Sequence, residues 1–134
     1  MTQQDHITFI NTHPLGVVAT VSPDGDPSAA LIGMAALSSG QILFCAKGDG
    51  RTLRNIRDHA RVALVFSRDD IETIQIEGNA WIPRGEVLTG LLAEWKLANP
   101  DSGIFNPGSD LTLVVVEPTW MRNYLVTQDH HRED

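Results

Sequence analysis

The stretch Gly16–Asp58, GVVATVSPDGDPSAALIGMAALSSGQILFCAKGDGRTLRNIRD, decides the fold. It opens with Gly16 to Ser22, a run rich in the β-branched residues that fit a pleated surface. Pro23-Asp24-Gly25-Asp26 follows, with a preset φ, an Asx-type turn former and a glycine free to take positive φ, so the chain reverses there. Ser28 to Ala36 reads as the returning strand, Ser38-Ser39-Gly40 as a second turn, and Gln41 to Ala46 as a third strand. Three strands joined by tight turns make an antiparallel meander, which rules out a parallel doubly wound sheet. Lys47-Gly48-Asp49-Gly50 then breaks the pattern, and Arg51 to Asp58 carries Leu53 and Ile56 three apart, the apolar stripe of a short helix.

Working outward, residues 3 to 12 form a short leading helix through Ile7, Phe9 and Ile10, ended at His13-Pro14 because a residue before proline avoids the helical region. Downstream, Val62 to Phe66 is a buried strand by its continuous apolar run, and Thr73 to Ile82 alternates as a strand should. Gly85 to Ala98 repeats Val87, Leu88, Leu91, Leu92 and Trp95 at helical spacing until Asn99-Pro100 stops it. Residues 100 to 109 read as a loop, and Leu111 to Val116 and Trp120 to Val126 as two strands divided by Pro118. About seven strands and two or three helices result. The expected fold is mainly β, a small antiparallel barrel flanked by helices, and 134 residues fit one domain spanning residues 1–134 with a polar tail at 128–134.

Composition narrows the function classes. Apolar residues at 42% and charged residues at 20% are those of a globular chain. The lone Cys45 cannot form an internal disulfide, and Met1 to Asp5 lacks the features of a signal peptide, so a cytoplasmic location is expected, with no membrane attachment. A net charge of -7 disfavours nucleic acid. That charge is unevenly spread: residues 47 to 68 hold six cations against Asp49 and Asp58, a local +4 that leaves -11 elsewhere.

Metal and covalent chemistry lack their parts. His6, His13, His59, His130 and His131 are scattered without metal-ligand spacing, no nucleophile elbow occurs, and Cys45 lies in an apolar strand with no histidine beside it in sequence. What remains is Lys47 to Ile56, a glycine-containing loop opening a helix. Free N–H groups and the helix dipole attract a dianion there, Gly48 and Gly50 let the main chain approach, Arg51 can grip two oxygens and Thr52 adds a hydroxyl donor. Taken alone, the loop is equally compatible with a solvated helix face.

The order of these segments resembles the FMN-binding core of the pyridoxamine phosphate oxidase family of split barrels. The resemblance rests on Pro23-Asp24-Gly25, the strand Ala30 to Ala35, Leu43-Phe44 before a polar loop, Arg51-Thr52-Leu53-Arg54-Asn55-Ile56, Arg61 to Val65, and Gln75 to Ala80, and covers most of the chain. It implies an FMN-type split β-barrel, with Leu31, Ile32, Gly33 and Met34 along the flavin ring and Ala46, Lys47, Gly50, Arg51 and Thr52 around the phosphate. It further implies Gln75 at the ring edge and Trp120 approaching from a partner subunit. The implied activity is oxidoreduction of a small substrate by bound FMN in a homodimer. A flavin-storing or sensing module, and a relative that binds deazaflavin or haem, are the alternatives. Ala30 and Ala35 stand where the oxidases carry an arginine and a lysine, and only Arg122 lies near Trp120 where the oxidases grip their vitamin. Trp81, Trp95 and Trp120, with Leu88, Leu91 and Leu92, offer an apolar surface for the dimer.

Overall fold

The computed structural model describes residues 1–69, 71–98 and 110–125. In chain order these form α1 (Gln3–Thr12), β1 (Leu15–Val21), β2 (Pro27–Ala36), β3 (Ile42–Lys47), α2 (Arg51–Asp58), β4 (Arg61–Arg68), β5 (Glu72–Trp81), α3 (Gly85–Ala98) and β6 (Leu111–Leu125). Every strand pair is antiparallel, and the order β1-β2-β3-β6-β5-β4 closes into a barrel because β1 also pairs with β4. The expected loop at 100–109 and tail at 128–134 lie outside the described residues.

Alternation sets the inside of the barrel. Val18, Met34, Phe44, Leu64, Phe66, Ile74, Ile76, Val114 and Val116 point inward and are nearly inaccessible. Full burial of each such side chain is worth about 1.5–3 kcal/mol. Gly16 takes an inward position that a side chain could not, since a Cβ there would stand 2.8 Å from the Phe66 ring. The β1–β2 turn closes through Gly25 at φ +88°, whose N–H donates to the Ser22 carbonyl at 2.9 Å.

Two helices complete the barrel core and the third packs outside it. α1 starts with a reciprocal cap, in which the Asp5 N–H donates to Thr2 Oγ1 and the Thr2 N–H to the Asp5 carboxylate. It buries Ile7, Phe9 and Ile10 against the barrel and is pinned by Asn11, whose side chain both donates to and accepts from the main chain of Ala36. Leu53 and Ile56 of α2 enter the same core, and the buried Asn55 donates to Thr20 Oγ1 at 3.0 Å. On the outer side α3 forms a second core, in which Leu91 and Trp95 pack with Ala35, Leu37, Leu43, Leu113 and Val115. The apolar stripe of this helix, expected at a dimer surface, is thus consumed within the chain at Leu91 and Trp95.

The last two expected strands are one. β6 runs without interruption from Leu111 to Leu125, so the barrel has six strands rather than seven. Pro118 survives there because the register slips: Gly78 faces Pro118 and Glu77 faces Trp120, leaving Thr119 as the extra residue of a β-bulge. Pairing with β3 ends at Val116, so the N–H that proline lacks is not required on that side.

Candidate functional site

The split in the barrel makes the site. β2 is ten residues long yet pairs with β3 only over Met34–Ala36 against Ile42–Phe44. Its first half remains with β1, β3 remains with β6, and the two diverge. The start of α2 lies at the resulting gap, a cleft of about 600 Å³ lined by Ser28, Ala29, Ala30 and Ile32 of β2, Cys45, Ala46 and Lys47 of β3, and Gly50, Arg51, Thr52 and Arg54. That size is ordinary for a small-molecule site, about 300–1,000 Å³. Small side chains along the strands leave room for a flat body, while cations and main-chain donors gather at the helix end.

The helix end is electrostatically unsatisfied. Gly50 is the N-cap in extended conformation, φ -78° and ψ 162°, and no side chain caps the first turn. Its first turn holds no acidic residue. Arg51 and Arg54 instead place two guanidinium groups at the positive pole of the dipole, an arrangement that costs free energy until an anion joins it. The same two arginines also line an adjoining cleft of about 500 Å³ with Asp24, Asp26 and Asp58, yet neither pairs with a carboxylate within ion-pair distance among the described residues. Cys45, beside the cleft, is chemically quiet: burial pushes its thiol up to about 12, far from a nucleophilic thiolate at neutral pH.

Of the residues read from the sequence, Ile32, Ala46, Lys47, Gly50, Arg51 and Thr52 come together here. The others do not line this cleft. Leu31 and Gly33 alternate to the outer face of β2, Leu31 being 68% exposed. Met34 lies inside the barrel at 1% exposure, which leaves its side chain no path to a ligand in the split. Gln75 stands on the outer face of β5, between Val65 and Arg122. Trp120 lines a different cleft near α1. Sequence reasoning missed Ser28, Ala29, Cys45 and Arg54. Arg54 had a signal, since it follows Arg51 by three residues and shares its helix face.

A six-stranded antiparallel split barrel with an anion-suited cleft where two strands part is the class that fold and site define. The pyridoxamine 5'-phosphate oxidase family profile matches residues 2–124, and the chain belongs to that family. Among curated proteins nothing matches. Solved structures share the fold. The conserved hypothetical protein Rv2991 from Mycobacterium tuberculosis is 19% identical at a TM-score of 0.73, over 93% of this chain and 85% of that one. HutZ, the haem storage protein from Vibrio cholerae, is 15% identical at 0.71, over 93% and 95%. A haem-binding protein from Mycobacterium smegmatis is 18% identical at 0.68, over 93% of this chain and 58% of its own.

Proposed function

We propose that the chain is an FMN-binding flavoprotein, an oxidoreductase acting on a small substrate, and that it works as a pair of identical subunits. The observation that carries this reading is the uncapped start of α2, with Arg51 and Arg54 at its positive pole, opening onto a cleft walled by small residues. A phosphate there accepts from main-chain N–H groups and from Arg51, which can hold two oxygens at once. Ser28, Ala29, Ala30 and Ala46 leave space for the ring system. When bound, the flavin supplies the electron-accepting chemistry, and this chain supplies binding and orientation. Cys45 stays a neutral thiol beside it.

A haem reading has one observation in its favour, the names of two structural relatives. Against it, the described residues lining the cleft in the split include no histidine, methionine or tyrosine, and the one sulfur among them is a protonated thiol, a poor axial ligand. Deazaflavin shares the phosphate chemistry and competes on equal terms at α2. Calorimetric titration with each compound decides. FMN is expected to bind with a micromolar or tighter Kd, about -8 kcal/mol or better. An absence of heat and of fluorescence quenching with FMN, beside clear binding of haem or deazaflavin, overturns the assignment.

A further inference from the structure

We propose that the cleft between α1 and the bulged half of β6 binds a small amphipathic amine, with its protonated nitrogen on Glu117 and its apolar body against Ile7 and Met121. The cleft exists because β6 leaves β3 after Val116 and continues with β5 alone, while α1 lies across the opening. About 470 Å³ remains between them. Among the described residues it shares no lining residue with the cleft at α2. Ile7, backed by the fully buried Ile10, stands at the edge of the barrel core, and Met121, partly buried, packs on that core from β6.

The chemistry is set by one carboxylate. Glu117 Oε2 accepts from Gln41 Nε2 at 2.7 Å and from Trp81 Nε1 at 2.9 Å. Gln41 is itself held, its carbonyl accepting from Ser39 Oγ at 3.0 Å. The carboxylate is therefore fixed in place by neutral donors, which orient it without cancelling its charge. Its other oxygen accepts from no described residue, and no described lysine, arginine or histidine stands within ion-pair distance. That oxygen is not sealed in the protein, since no described side-chain oxygen is both buried and unpartnered, so it stays open to solvent and to a ligand in the cleft. His6, also on the wall, supplies no cation: burial holds its imidazole below the ordinary value, so the ring is neutral at neutral pH. An ammonium group answers the free oxygen, and a short aromatic or aliphatic body answers the isoleucine and methionine wall.

This proposal stands whether or not the α2 cleft takes FMN. The test uses the full chain and three probes of matched size: 2-phenylethylamine, 2-phenylethanol and 3-phenylpropionate. In NMR titrations of the parent protein the amine should perturb the Trp81 indole N–H and the Met121 methyl, and bind about tenfold or more tightly than the alcohol or the acid, the scale of one charge-assisted hydrogen bond. Glu117→Gln keeps the acceptor for Trp81 but removes the charge, and should lose that preference while FMN binding stays unchanged. Equal binding of amine and alcohol to the parent, perturbations confined to other residues, or an undiminished amine preference in a folded Glu117→Gln protein would each overturn the site. Should Glu117→Gln not fold, the parent's amine-to-alcohol ratio and its shift map decide alone.

Discussion

Arg51 and Arg54 stand one turn apart at the end of α2 where main-chain N–H groups are free, and both line the cleft in the split. Two cations at the positive pole of a helix repel it and each other, so an anion removes both penalties at once. Arg51→Ala should therefore weaken FMN about tenfold or more, the loss of a charge-assisted contact worth about 1.5–3 kcal/mol. Arg57 is a poor control: it donates to the Gly48 carbonyl at 3.4 Å and so touches the loop that shapes the cleft. Arg84, which lines neither cleft that Arg51 borders, serves instead. Equal FMN affinity in Arg51→Ala and the parent, by calorimetry, would remove Arg51 from the site. Of the residues legible in the sequence, Lys47, Gly50, Arg51 and Thr52 lie in one short segment, so loop and helix chemistry sufficed to find them, while Ile32 and Ala46 came from the family resemblance. Ser28 and Cys45 were not legible, because they reach the cleft only through the divergence of β2 from β3. No local pattern encodes where two strands stop pairing.

At the scale of elements, five of the six strands and all three helices were legible, since turns and periodicities are local. β6 was not, because Pro118 removes a donor and read as an end. Whether that breaks a strand depends on what lies opposite, and opposite lies Gly78. A Cβ at Gly78 would stand 2.6 Å from the Glu117 carbonyl oxygen and 2.8 Å from Val116 Cγ1, so the bulge and the glycine form one device. The nearest obstacle is backbone held between strands, which cannot swing aside. Gly78→Ala should cost about 1–3 kcal/mol, the range for overpacking a well-filled interior. Thermal unfolding should shift down by several degrees for a domain of this size. An unchanged melting temperature would mean that β6 yields there, and that the bulge is not fixed by close approach.

At the scale of the molecule, the surface left over after folding is not the one that the helical stripe suggested. α3 turns Leu91 and Trp95 inward, and a different apolar face stays uncovered on the outer side of β2, β1 and β4. Cross-strand pairing aligns Leu31 with Val17 and Val17 with Val65, and Leu15 stands in the neighbouring row. Leu15 and Leu31 are 61% and 68% exposed, on a sheet face whose adjacent residues Ala19, Ala29 and Ala63 are small and flat. Two such faces related by a two-fold axis would each cover the other, and an isologous patch closes at a pair. A stable pair needs about 1,200–2,000 Å² of total buried surface, more than these side chains supply alone, so the proposed contact would have to extend along β5 and β6, where Gln75 and Arg122 continue the same row. Val65→Asp places a charge at the centre of that face and away from both clefts. Sedimentation at low micromolar concentration should then find monomers where the parent is dimeric, with far-UV circular dichroism unchanged. If the flavin is shared across the pair, FMN binds the dimer preferentially, so its affinity should fall with dissociation, and FMN should raise the parent's melting temperature. A Val65→Asp protein that remains dimeric would assign the interface elsewhere, and a monomer that binds FMN as the parent does would show each subunit holding its cofactor alone.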